Sequence, residues 1–396
     1  MIKTKYLIIV VAVVAGAVLV GTPGSADEAA SMWGRIYSRS EGIAQKNQIM
    51  RSMIELDNQG LIPVFMDALA ELVEQRLTFG RREAGVRQSM MLLCVQELGD
   101  LRASEAAQLI YRVVRETENI NLKREALISL GKTGVRSYAA PIATILKNLN
   151  LGREGKNALD EEKIAFGCIT ALEMFKDAGG YEPVFFSITA GYSRMIQNLA
   201  TRALPVILED PTDMLIGIMQ RDADPRVKTL ALEQAEASGA PLEKKAKVAI
   251  EALHQGLTVV ATNIPDKNVF TAMRKKTLLI LRDRQAAKDE TVVSDVDQVL
   301  YLETDLEERL YAIDLLGAIA TDFAAESLSR LLAYYNNRRS DGITMRDERP
   351  LKATIAALGR TKSKIGLEEL MRAQYVGFSS AVEGQAAKVL ESLNKD

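Results

Sequence analysis

Four stretches of the chain carry the same spacing of apolar residues around a Leu-Gly pair, and this spacing constrains the fold most strongly. With each glycine numbered zero, positions −4, −1, +8 and +11 are apolar in every stretch. Residues three or four apart share one face of an α-helix, so the pattern predicts a repeated pair of packed helices. Each glycine is expected to end its helix in the left-handed conformation. The glycines are Gly99, Gly131, Gly317 and Gly359.

The composition favours an all-α protein. Hydrophobic residues make up 47% of the chain and charged residues 26%, which is typical of a folded soluble protein. Aromatic residues are only 5%, whereas strands are rich in aromatic and β-branched residues. The segment 258–262 resembles a strand but has no partner strand in the sequence, so we interpret it as a loop.

The N-terminus has the features of a secretory signal peptide. Lys3 and Lys5 precede an apolar run over 6–20, and small residues lead up to Ala26. Residues 1–26 are therefore expected to be a cleaved signal peptide that directs the protein across the cytoplasmic membrane, into the periplasm if the source has two membranes. The alternative is an uncleaved anchor, although the run is shorter than the roughly 20 residues of a bilayer-spanning helix.

The charge and the cysteines exclude other classes. Removing Lys3 and Lys5 from the 50 basic residues leaves 48 against 52 acidic residues. This balance offers no basic surface for nucleic acid. Cys94 and Cys168 are the only cysteines; both stand among apolar residues on separate predicted helices, so we expect two buried free thiols rather than a disulfide.

The helical pattern continues from residue 27 to the C-terminus. We predict an N-terminal helical cap over 27–60 and an α-solenoid of about nine helical hairpins over 61–396. Longer connections at 150–161, 255–267 and 338–347 would lie at the edges of such a solenoid, where a partner often binds. Each of them is also compatible with an ordinary surface loop.

One segment resembles a known family. The second predicted helix of the hairpin over 211–238 begins Asp224-Pro225 and continues with Val227, Lys228 and Ala231, which is similar to the second helix of a HEAT repeat. The segments 122–127 and 307–312 are similar but lack the proline. The resemblance implies a right-handed, armadillo-type superhelix that holds other proteins.

The sequence offers no evident chemistry. The single histidine, His254, precludes a metal site built on several histidines, and Gly131-Lys132-Thr133 lacks the earlier glycine of a phosphate-binding loop. We therefore expect no catalytic, metal-binding or cofactor-binding residues.

Two sets of residues are candidates for binding a protein. Positions −3 and −6 of the repeat vary in chemistry, and second helices usually line the concave side of such solenoids. An aromatic–arginine cluster near 338–347 has the composition of a binding hot spot. The candidates are Gln96, Glu125, Tyr311, Asp314, Tyr334, Tyr335, Arg338 and Arg339.

These features predict an exported, non-enzymatic scaffold that binds another protein or a cell-envelope component, touching the membrane only if the N-terminal segment is uncleaved. Two alternatives stay open. One is a HEAT-like enzyme resembling bilin lyases or alkyl-base glycosylases, which the export signal and the acidic balance disfavour. The other is a scaffold tethered by an uncleaved N-terminal helix.

Overall fold

The computed structural model describes residues 23–74, 81–152, 158–284, 290–302 and 305–395. The chain forms two compact units, Met1–Leu208 and Glu209–Asp396. Every regular element within the described ranges is helical, which confirms the all-α prediction. Most of the predicted signal peptide lies outside the described residues, and its last residues begin the first described helix.

The first unit consists of consecutive helices joined by short connections. Single turns of 3-10 helix precede α3, α5, α7 and α9. The helices are α1 (Pro23–Arg39), α2 (Ile43–Ile54), α3 (Ile62–Glu74), α4 (Arg81–Asp100), α5 (Ala107–Glu116), α6 (Ile120–Lys132), α7 (Ala139–Leu151), α8 (Ala158–Phe175), α9 (Tyr181–Phe186) and α10 (Arg194–Ile207).

The second unit continues in the same manner. A 3-10 turn precedes α19. The helices are α11 (Thr212–Arg221), α12 (Pro225–Ala237), α13 (Leu242–Thr258), α14 (Ile264–Arg284), α15 (Glu290–Tyr301), α16 (Leu306–Ile319), α17 (Asp322–Ser340), α18 (Arg349–Thr361), α19 (Leu367–Ala373) and α20 (Ser380–Lys395).

Alternate helices pack in layers within each unit. In the first unit α2, α4, α6, α8 and α10 contact one another in succession, and in the second unit α12, α14, α16, α18 and α20 do the same. The odd-numbered helices from α3 onward pack against the even-numbered helices that follow them. We call the even-numbered helices from α4 onward second helices. This arrangement is compatible with a helical solenoid in each unit.

The repeated apolar positions form the core, as predicted. Positions −4, −1 and +11 are buried in all four stretches. Position +8 is buried in three of them, and Leu367 is partly exposed in the fourth. A packed core requires the burial of these positions, because each helix must bury its apolar face against a neighbouring helix.

The predicted role of the four repeat glycines was wrong. Each lies inside the last turns of its helix, and none has a positive φ. The left-handed residue comes three positions later in all four stretches. These residues are Arg102 (φ 53°), Gly134 (φ 72°), Ala320 (φ 53°) and Lys362 (φ 55°). The helices therefore end later than the Leu-Gly pair suggests.

The left-handed residue also reveals two stretches that the glycine signal missed. Asp57 (φ 43°) and Lys176 (φ 51°) take the same conformation. Ile54 and Glu173 lie three positions before these residues, which is the place that glycine takes in the other four stretches. The residues at −4, −1, +8 and +11 are again buried: Met50, Met53, Ile62 and Phe65, then Ile169, Leu172, Tyr181 and Val184.

The repeat glycines permit close contact between second helices. A Cβ at Gly99 would lie 2.7 Å from Cβ of Ser129, and a Cβ at Gly131 would lie 2.7 Å from Cα of Ala171. Both partners stand two positions before the zero position of the next stretch. Any side chain at these glycines would force the helices apart.

Three local predictions are confirmed. Asp224 caps α12 by accepting a hydrogen bond from the Arg226 backbone N–H, and Pro225 is the first helical residue. Residues 259–263 connect α13 and α14 without forming a strand. Cys94 and Cys168 are free and fully buried, and burial raises the pKa of both thiols.

Candidate functional site

The end of α17 presents an exposed aromatic–arginine pair. Tyr334 is 44% exposed. The Arg338 guanidinium lies 5.6 Å from the centroid of the Tyr334 ring, and its Nη1 donates a 2.8 Å hydrogen bond to Tyr334 Oη. The two residues are one helical turn apart, so the contact is local and holds both side chains in a defined orientation.

Two of the predicted binding residues in this segment make contacts within the protein. Tyr335 is only 4% exposed, so a partner cannot reach most of its surface. Its ring packs against that of Tyr334 with centroids 5.6 Å apart. Arg339 donates from Nε to the Gly377 carbonyl oxygen at 2.7 Å, which ties the end of α17 to the loop before α20.

Sequence reasoning missed two residues beside this pair. Tyr301 at the end of α15 is 52% exposed. Arg330 precedes Tyr334 by one turn on α17, and its Nη2 lies 3.2 Å from Asp297 Oδ1 on α15. The sequence shows that Arg330, Tyr334 and Arg338 are spaced four residues apart on one helix. Tyr301 comes close to them only because α15 packs against α17.

We call Tyr301, Arg330, Tyr334 and Arg338 the Tyr–Arg surface. Burial, followed by the negative charge of Asp297, raises the pKa of Tyr301, so its hydroxyl stays protonated near neutral pH. Tyrosine and arginine side chains combine apolar area with hydrogen-bond donors. These residue types suit contact with acidic and apolar groups.

Asp314 is committed to contacts between second helices. Its carboxylate accepts hydrogen bonds from Arg360 on α18 at 2.7 Å and from Arg282 on α14 at 3.1 Å. Burial alone would raise the pKa of Asp314, but the two guanidinium groups outweigh burial and lower it. Tyr311 lies three residues earlier on α16 and is partly exposed.

Gln96 on α4 and Glu125 on α6 belong to the first unit and are partly exposed. The Glu125 carboxylate lies 3.9 Å from Nη2 of its neighbour Arg124. The variable positions of the repeat are therefore spread over both units, and those in the second unit include a residue that holds helices together.

The described residues include one histidine and many acidic side chains. Among them, no cluster of three or more histidine, cysteine or acidic side chains could hold a metal ion. His254 Nδ1 lies 3.4 Å from Asp295 Oδ2, and burial raises the pKa of Asp295 despite this histidine. None of the helices in the described ranges is both long and apolar enough to span a bilayer.

Comparison with known proteins identifies no family. No family model matches the chain, and no curated protein matches it. A comparison with solved structures matches the chain to the crystal structure of an engineered protein, a target of the Northeast Structural Genomics Consortium. That similarity covers 92% of this chain and 98% of the other, with 15% identical residues and a TM-score of 0.35. A likeness at this level assigns neither a family nor a function.

Proposed function

We propose that the protein is an exported, non-enzymatic scaffold that binds another protein or a cell-envelope component through the Tyr–Arg surface. In this proposal residues 1–26 are a cleaved signal peptide, and the protein works in the periplasm if the source has two membranes. The chain is a HEAT-like, right-handed solenoid of about nine hairpins over 61–396, preceded by a helical cap over 27–60.

The observation that carries the proposal is the exposed, ordered Tyr334–Arg338 pair. Tyr334 keeps 44% of its surface in solvent although Tyr335 beside it is buried. Side chains held in one orientation lose little conformational entropy on binding, which favours affinity. Tyr and Arg are also among the residue types most enriched in binding hot spots.

The repeat architecture supports the same proposal. Successive second helices pack closely where the repeat has Gly99 and Gly131, because a Cβ at either position would lie 2.7 Å from the next second helix. Stacked helical pairs leave long outer faces free for a partner. The repeat architecture therefore favours a protein with extended binding surfaces over a protein with an enclosed active site.

The experiment is affinity capture from the envelope fraction with wild-type protein and with Y334A/R338A. We expect wild type to retain a defined partner and the double variant to lose at least tenfold of it. The matched control is Y375A/R226A, which removes one tyrosine and one arginine that are also exposed. Equal capture by all three proteins would exclude the Tyr–Arg surface as the binding site.

Export is tested separately by mass spectrometry of the native N-terminus after cell fractionation. A mature chain that begins at Asp27 in the exported fraction is the expected result. A chain that still contains residues 6–20 in the membrane fraction would establish the tethered scaffold instead, and an unprocessed chain in the cytoplasm would refute export.

A further inference from the structure

Two hairpins in different units place a lysine at the same position but use it differently. Lys228 on α12 follows Met219 by nine residues, and Lys123 on α6 follows Val114 by nine residues. Both hairpins have a three-residue connection capped by an Asn or Asp, Asn119 in one and Asp224 in the other. The two lysines are therefore equivalent in the local geometry of the hairpin.

In the second unit this lysine donates a hydrogen bond to a carbonyl group at the C-terminal end of the preceding helix. Lys228 is 1% exposed and donates to the Met219 carbonyl oxygen at the end of α11, and also to Gln255 Oε1 at 2.8 Å. Arg274 on α14 similarly donates to the Gly256 carbonyl oxygen near the end of α13 at 2.8 Å. A cation at this point satisfies carbonyl groups that have no partner within the helix.

In the first unit Lys123 does not make this contact. It is half-buried and has no hydrogen-bond or ion-pair partner among the residues that the structure describes. It lines a cavity of about 470 Å³ between α5, α6, α7 and α8, and Val114 lines the same cavity. A partly buried cation with no protein partner can pair with the negative charge of a ligand.

The other lining residues define the character of this cavity. Arg115, which is exposed at the mouth of the cavity, adds a second cation that has no partner among the described residues. Besides Val114, four aliphatic side chains form the wall, and Glu161 contributes one carboxylate whose Oε2 is buried without a hydrogen-bond partner, so two cations face one acid. Glu161 stands in the first turn of α8, where the helix dipole stabilises a negative charge. The aliphatic residues are Leu127, Ile145, Leu149 and Ile164.

We propose that this cavity binds a small amphipathic carboxylate, with its carboxylate group between Lys123 and Arg115 and its alkyl chain against the aliphatic wall. The volume falls in the range of small-molecule sites, which are mostly apolar with a few placed polar groups. The excess of one positive charge selects an anion over a neutral or cationic amphiphile. This site lies in the first unit and is independent of the Tyr–Arg surface.

The probe is octanoate, measured by calorimetry and by NMR of isoleucine methyl groups in the full chain. We expect binding of one octanoate per chain, with shifts at Ile145 and Ile164 and none at Ile355 in the core of the second unit. Octan-1-ol, which has the same chain without the charge, should bind at least tenfold more weakly. Equal binding of the two compounds, or shifts spread over both units, would overturn the proposal.

Variants separate the site from nonspecific adsorption. K123M keeps the length of the side chain and should weaken octanoate binding at least tenfold, whereas E161Q removes the opposing charge and should strengthen it. The control K147M changes an exposed lysine on α7 that does not line the cavity, and its affinity should equal that of wild type. Unchanged affinity in K123M, with the fold verified by circular dichroism, would refute the assignment.

Discussion

In the first unit Gly131 of α6 faces the backbone of Ala171 on α8, whereas in the second unit Gly317 of α16 faces Arg360 on α18. A Cβ at Gly131 would lie 2.7 Å from Cα of Ala171, and a Cβ at Gly317 would lie 2.5 Å from Nη2 of Arg360. The two glycines have the same place in the repeat. Gly131 leaves room for a helix backbone, whereas Gly317 leaves room for a charged side chain and for Cβ of Ala357 at 2.9 Å.

The difference extends to the contacts around them. Second helices of the second unit are joined by charged groups, because Asp314 accepts hydrogen bonds from arginines on both neighbouring helices and Arg274 pairs with Glu308. The α6–α8 contact instead uses small residues, including Gly167 against the Arg124 carbonyl oxygen. One repeat spacing therefore accommodates two kinds of contact: close steric packing and ion pairing.

The largest effect is expected from breaking the buried pair in the second unit. Glu308 is fully buried, and its Oε2 lies 3.3 Å from Nη2 of Arg274. E308Q leaves a buried guanidinium without its counter-charge, so we expect a loss of about 3–5 kcal/mol in unfolding free energy. Urea unfolding measures the loss, and hydrogen exchange should locate it on α14 and α16.

A double variant distinguishes charge from packing at this pair. R274M/E308M removes both charges while keeping apolar volume, so it should recover most of the stability lost in E308Q. A double variant as unstable as E308Q would mean that removing both charges does not offset the loss of the hydrogen bond from Arg274 to the Gly256 carbonyl oxygen on α13.

The next effect concerns the steric contact in the first unit. G131A adds a methyl group against the backbone of α8, and overpacking of this kind costs about 1–3 kcal/mol. The matched control is G217A, because Gly217 lies inside α11 with open space at its Cβ position. There alanine should stabilise the protein by about 0.5–1 kcal/mol through helix propensity. Urea unfolding of both variants checks the contrast, and destabilisation by both would contradict it.

A smaller effect is expected from the charges around Asp314. D314N leaves Arg282 and Arg360 without their shared carboxylate, so the like charges repel. Because these side chains are partly solvated, we expect a loss of about 0.5–1 kcal/mol that decreases at high salt. Unfolding at low and high ionic strength provides the measurement, and a loss that does not depend on salt would argue against an electrostatic role.

A further effect is a pH dependence in the first unit. Burial, with the charges of Asp100 and Asp57, raises the pKa of Glu97 from its ordinary value to about 7. Because the folded state holds this proton more tightly than the unfolded state, Glu97 favours folding less and less as the pH rises from about 4.5 to about 7. E97Q should therefore gain stability relative to wild type over this interval. Thermal unfolding at pH 5 and pH 8 tests it, and a constant difference between the proteins would contradict the assignment.

Much of the fold was predictable because its signals are local. The apolar spacing, the Asp224-Pro225 helix start and the buried thiols depend on helix periodicity and on burial of apolar segments. The candidate site was less predictable. Tyr334 and Arg338 are one turn apart and were found from composition, but the sequence does not distinguish exposed Tyr334 from buried Tyr335, because the apolar face of α17 is set by the helices against it.

The sequence by itself determined that this protein is built from repeated helical pairs and which positions form their core, since these properties follow from spacing along a single helix. Only the tertiary structure decided that the repeat glycines permit close helix contacts and that Asp314 joins three helices. It also decided that Lys228 hydrogen-bonds to the end of a helix, whereas Lys123 lines a cavity. These outcomes depend on atoms that neighbouring helices bring within a few ångströms, and similar local sequences therefore acquire different roles.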